Sequence, residues 1–191
     1  MPTEPVTIRI DIGSSDMKGI NTIAITLLLC SPLASIAEDK EGKSFVSGAQ
    51  SFILLENVNR QAEAWATCSA VWDIMAIMTT DDSKSKAQEY SNLGNGAKMA
   101  VAMSFVSELV KADDFDKERF DATWTFAKAA LESMPEVQMT AMMANLERRG
   151  VDSWMPDFAA TMEVCTENLE LQQVHVDSWR ALATSGLLKF E

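Results

Sequence analysis

Two apolar stripes at helical spacing, one in the first half of the chain and one near its end, each carry a single cysteine. No other feature constrains the fold as much. Leu55, Val58, Ala62, Trp65, Ser69, Trp72 and Ala76 recur at alternating intervals of three and four, which puts them on one helix face with Cys68 and Met75 at its edge. Phe158, Met162, Cys165, Leu169, Gln172, Val176, Trp179 and Ala183 keep the same rhythm as a heptad-like seam. Both cysteines should therefore face inward, and a Cys68–Cys165 bond would staple the first long helix to the last. Closing a loop of that length contributes on the order of 4 kcal/mol if its effect lies in the entropy of the unfolded chain.

The segments between the stripes also follow helical periods. Ala87, Tyr90, Ala97, Val101 and Phe105 mark a region from about Ser83 to Lys111. Gly94-Asn95-Gly96 should break or kink it, because each glycine costs about 1 kcal/mol inside a helix. Phe120, Trp124, Ala127 and Leu131 give a further stripe that should stop near Met134-Pro135. A shorter helix is then expected from Pro135 to Arg149, closed by Gly150. Asp152 or Ser153 should cap the last helix, expected to run unbroken along the seam. Trp65, Trp72, Trp124 and Trp179 fall on apolar stripes and are expected in the core, whereas Trp154, beside Met155 and Pro156, is expected to be partly exposed. Residues 38–191 contain no alternating β-branched run. The expected fold is all-α, a four- or five-helix bundle, with one helical domain over residues 51–191.

Met17 to Ala37 has the layout of a secretory signal peptide. Lys18 supplies the charge, Ile23 to Cys30 an apolar run, Pro32 a helix break, and Ser35-Ile36-Ala37 small residues at the cleavage positions. Ser31, Pro32 and Ser35 weaken it as a retained membrane anchor, and no basic cluster follows it. Leu27-Leu28-Leu29-Cys30 resembles a lipoprotein signal but has bulky Leu29 where a small residue is required. Residues 1–16, with Glu4, Asp11 and Asp16 against Arg9, make a poor charged leader and are expected to be an upstream extension, with translation starting at Met17. Residues 38–50 are polar and are expected to form a flexible leader. On this reading the protein is periplasmic or secreted. Cys30 departs with the signal, and the remaining pair sits where thiols oxidise.

The chain carries 28 Asp and Glu against 16 Lys and Arg, a formal charge of −12. That balance argues against nucleic acid and anionic lipid as partners. Catalytic and metal signatures fail one after another. The single histidine, His175, has Gln172 where a di-iron bundle needs Glu, and no Cys-x-x-Cys-His or Gly-x-Ser-x-Gly occurs. The segment from Asp114 starts like a calcium loop but has Arg119 at the glycine position and Thr125 at the bidentate glutamate position. Glu163, Glu167 and Glu170 share a helix face, which is ordinarily a solvated one. No cofactor and no catalytic residue is assigned, and His175 is expected at a surface or boundary.

Methionine is the remaining outlier, with 12 in the chain. Met75 and Met78, Met99 and Met103, and Met139, Met142 and Met143 lie three or four residues apart, so their thioethers share helix faces. Methionine fills irregular cores, forms adaptable binding surfaces, or offers soft donors to Cu(I). Core filling is the expected main role. The expected function is an exported, non-enzymatic helical protein that binds a protein partner or a small apolar ligand. A methionine-based copper binder and an enzyme with dispersed carboxylates are the alternatives.

Overall fold

A computed structural model describes residues 51–55, 57–111 and 115–188. The signal-like segment, the residues before it and the polar leader lie outside the described residues. Within them, a 3-10 turn at Phe52–Leu54 precedes five helices: α1 Val58–Thr79, α2 Lys84–Lys111, α3 Lys117–Arg149, α4 Val151–Glu167 and α5 Leu169–Ser185. No strand occurs among the described residues. The fold is all-α, a five-helix bundle, and among the described residues no helix is long and apolar enough to cross a membrane.

Helix α1 is the centre of the bundle. Ala62 and every residue from Ala64 to Trp72 are buried, so the helix is enclosed on all sides and not on one face as its stripe implies. The residues between the stripe positions are Ala64, Ala66, Thr67, Ala70 and Val71, small enough for α2, α3 and α4 to close around them. A helix without a polar face over that length has no stable place except an interior. Asn57 caps its start by accepting from the Asn59 N–H at 2.8 Å, and the Thr79 and Thr80 hydroxyls donate back to Met75 and Ala76 carbonyls at its end.

Four boundaries differ from expectation, and in α2 and α3 packing outweighs a local signal. Helix α2 runs unbroken through Gly94 and Gly96. A Cβ on Gly94 would lie 2.6 Å from Asp73 Oδ1 of α1, and one on Gly96 would lie 2.5 Å from Gln172 Nε2 of α5. The glycines therefore allow two neighbours to approach the α2 backbone, which offsets their helical cost. Gln172 uses that approach to donate to the Leu93 carbonyl at 3.1 Å. Asp73, beside Gly94, pairs with Lys98 at 3.0 Å.

Helix α3 likewise passes through Pro135, so the two helices expected on either side are one. Leu131 and Met134 before the proline and Met139 and Met142 after it pack against the same core cluster. Continuous packing holds the helix together where one backbone hydrogen bond is lost. The expected stop at Gly150 is present, with φ 75° and its N–H donating to the Leu146 carbonyl at 2.8 Å. Helix α4 starts at once, at Val151, without a side-chain cap from Asp152 or Ser153. This brings Trp154 inward to stack on Phe158 with ring centroids 4.4 Å apart, so Trp154 is buried and not partly exposed.

The final seam is two helices, not one. Asn168 separates α4 from α5 with φ −99° and ψ 10°. Its buried amide donates to the Val164 carbonyl at 2.9 Å and accepts from the Phe52 N–H at 3.0 Å. Asparagine satisfies freed backbone groups at such breaks better than any apolar seam residue could. Cys68 and Cys165 form a disulfide with Cα atoms 5.5 Å apart. It ties α1 to α4, not to the last helix.

The buried apolar residues divide into two clusters. The larger surrounds α1 and includes Phe52, Trp65, Trp72, Trp154, Phe158 and both cysteines. The smaller joins Ala102, Met103 and Val106 of α2 with Phe120, Trp124 and Ala127 of α3 and with Leu182 and Leu188.

Candidate functional site: the methionine-rich end of the bundle

The helix directions fix which residues share an end. Trp72 stacks on Tyr90 at 6.0 Å, so α1 and α2 are antiparallel across the short turn after Thr80. Phe105 meets Phe126 edge to face at 5.0 Å, so α2 and α3 are antiparallel as well. Met142 lies sixteen residues after Phe126, and Glu89 sixteen before Phe105. At about 1.5 Å per residue both displacements are roughly 24 Å. Met142 and Met143 are thus level with the second turn of α2 and, through the Trp72–Tyr90 contact, with α1 near Asp73, within about two turns of its end. The turn at Gly150 and the start of α4 lie just beyond.

Seven methionines were candidates from their spacing, and the structure divides them. Met75, Met139 and Met142 are half-buried against the α1-centred core. Met103 is only 1% exposed, enclosed in the second core with Phe120 and Trp124. Met99 is half-buried on α2. Met78 and Met143 are 47% and 40% exposed. Spacing within one helix did not reveal that Met134, Met155 and Met162 join Met75, Met139 and Met142 against the same cluster, so three helices contribute half-buried thioethers to it. Two of these six, Met155 and Met162, come from α4, whose antiparallel return after Gly150 is a tertiary event. Exposed Ile77, Val137 and Val151 accompany them on α1, α3 and α4.

Unbranched thioether side chains that are half in and half out of a core can change rotamer at small cost, and exposed branched residues on the same helices add area. Such an arrangement can bury an apolar segment or small molecule by repacking. The carboxylates offer less. Glu163, Glu167 and Glu170 are all exposed, and no group of three His, Cys, Asp or Glu side chains that could hold a metal ion occurs among the described residues. His175 is half-buried, with its ring against the edge of Trp65 at 5.6 Å. Burial pushes the Glu63 pKa up, and Arg60 partly opposes it.

No family model, curated protein or solved structure matches this chain. The class rests on the fold itself, an all-helical bundle with a disulfide between its central and fourth helices.

Proposed function

We propose that the protein is an exported, non-enzymatic binding module that takes an apolar segment of a protein partner, or a small apolar ligand, at the methionine-rich end of its bundle. One observation carries this reading: α1, α3 and α4 each bring half-buried methionines to one core and also carry an exposed branched residue, Ile77, Val137 and Val151. The disulfide is compatible with an oxidising compartment, and the signal-like Met17–Ala37 segment supplies the route there. The mature chain would begin at Glu38.

Titration with a neutral, environment-sensitive dye such as Nile red tests the surface. Saturable binding is expected in the full chain, weakened at least tenfold by Ile77→Asp combined with Val137→Asp, both exposed positions that the fold tolerates. Binding indifferent to that pair would overturn the reading. In a Cu(I) competition titration, Met99→Leu and Met142→Leu should bind as the parent does; a sharp loss of affinity would favour soft-metal binding. Intact mass and fractionation of native material should find protein starting at Glu38 outside the cytoplasm, and a retained segment 17–37 would contradict export.

A further inference from the structure

Both cysteines of the disulfide are 0% exposed, so no thiol can reach either sulfur in the closed protein. Reduction requires a reductant thiolate to approach one sulfur along the S–S axis, and something must move first. The residues entering α1 are placed to be that moving part. Phe52 inserts its ring edge to face on Trp65 at 4.7 Å, and Trp65 lies three residues before Cys68 on the same side of α1. The Phe52 N–H donates to Asn168, which lies three residues after Cys165. One residue therefore touches the first helical turn beside each cysteine, and Phe52, Trp65, Cys68 and Cys165 belong to one buried cluster.

The hold of this segment on the bundle is local. Its next two residues, Ile53 and Leu54, are 66% and 64% exposed, and the Leu55 carbonyl accepts from the Gln61 side chain at 2.6 Å. Among the described residues, lifting it breaks the Phe52 contacts with Trp65 and Asn168, the Leu55 packing on the core and the Gln61 bond, and leaves α1 to α5 intact. Moving α4 instead would expose Trp154, Phe158 and Val164 together.

We infer that Ser51–Leu55 is a strap that gates reduction of the Cys68–Cys165 disulfide by a dithiol reductant. With the strap lifted, one reductant thiolate attacks a cysteine sulfur, forming a mixed disulfide and expelling the other cysteine as thiolate. The second reductant thiol then closes on its own sulfur and releases the remaining cysteine. The protein gains two electrons and two protons, and the reductant leaves as a cyclic disulfide.

Dithiothreitol reduction of the native full chain, followed by mass-tagged alkylation of released thiols, tests the gate. Phe52→Ala should accelerate reduction at least tenfold, and the milder Phe52→Leu should do so by less. Leu182→Ala, a truncation in the second core, should leave the rate within about twofold of the parent. Equal acceleration by Leu182→Ala would mean that reduction follows global unfolding, and would overturn the proposal. So would an unchanged rate in a folded Phe52→Leu, the variant that decides the matter if Phe52→Ala does not fold. A parent rate equal to that of oxidised glutathione would show that no gate exists.

Discussion

The two cores of this bundle use similar side chains but differ in how they are closed. Around α1 the chain encloses one helix on every side, places its small residues where neighbours approach, and joins α1 to α4 covalently. The second core is a layer between the C-terminal half of α2, the N-terminal half of α3 and the end of α5, with fewer buried residues and no covalent tie. Two of its aromatic contacts reach an exposed ring, Phe105 on Phe126 at 5.0 Å and Phe120 on Phe115 at 5.7 Å, whereas the outer partners in the first core, Tyr90 and His175, are half-buried. Similar chemistry thus yields a first core whose helices open together, with the Ser51–Leu55 strap at its margin, and a second core that can loosen along its helices' edge. Enclosure and cross-linking set local stability here more than apolar content does.

Removing the staple should have the largest effect. Replacing Cys68 and Cys165 together by Ala should cost about 4 kcal/mol, the cross-link entropy of a loop near one hundred residues, and should bring the first core down to the stability of the second. Urea unfolding followed by tryptophan fluorescence measures it, and a loss under 1 kcal/mol would break the comparison. Phe120→Ala, in the second core, should cost about 3 kcal/mol locally, the low end for a buried phenylalanine because this looser layer can partly collapse. The loosening should be confined to α2, α3 and α5 residues of that cluster in NMR line widths, with α1 unaffected.

The glycines of α2 sharpen the contrast at smaller scale. Gly96→Ala should destabilise by about 1 kcal/mol net: the new Cβ displaces Gln172 from its part-buried bond to Leu93, and the helix gain of alanine only partly compensates. Gly94→Ala should be near neutral in the same thermal-melt series, because the Asp73 carboxylate it meets is part-exposed and can rotate. Equal costs at the two positions would contradict this account of the close approaches.

The smallest effect is a pH dependence. Burial holds the Glu63 pKa above its ordinary value, so its ionised form is disfavoured in the fold. Above the raised pKa the carboxylate weakens the folded state, and that penalty fades as pH falls through the folded pKa toward the ordinary one. Glu63→Gln should therefore melt slightly higher than the parent at pH 7, with the gap gone near pH 4. A gap that widens on acidification would reverse the sign.

Much of the architecture was legible because it is periodic. The stripe from Leu55 to Ala76, the seam from Phe158 to Ala183 and the inward cysteines follow from intervals of three and four, and they yielded the all-α bundle and the disulfide partners. What was hidden depends on neighbours far away in sequence. Gly94 and Gly96 look like breakers until Asp73 and Gln172 are beside them, and Pro135 looks like a stop until one core grips both sides of it. Asn168 is an ordinary polar residue until the Phe52 N–H, 116 positions away, requires an acceptor. The candidate site was half legible: methionine spacing marked Met75, Met139 and Met142, but Met155 and Met162 join them only through the turn at Gly150.

Native-state hydrogen exchange of the oxidised full chain tests the difference between the two cores most directly. Amides from Ala64 to Trp72 should exchange only through global unfolding, with the slowest rates and the steepest denaturant dependence. Amides of Met103–Val106, Phe120–Ala127 and Leu182 should exchange measurably faster, through a sub-global opening with a smaller denaturant slope. Identical rates and slopes in both sets, or slower exchange in the second, would contradict the account.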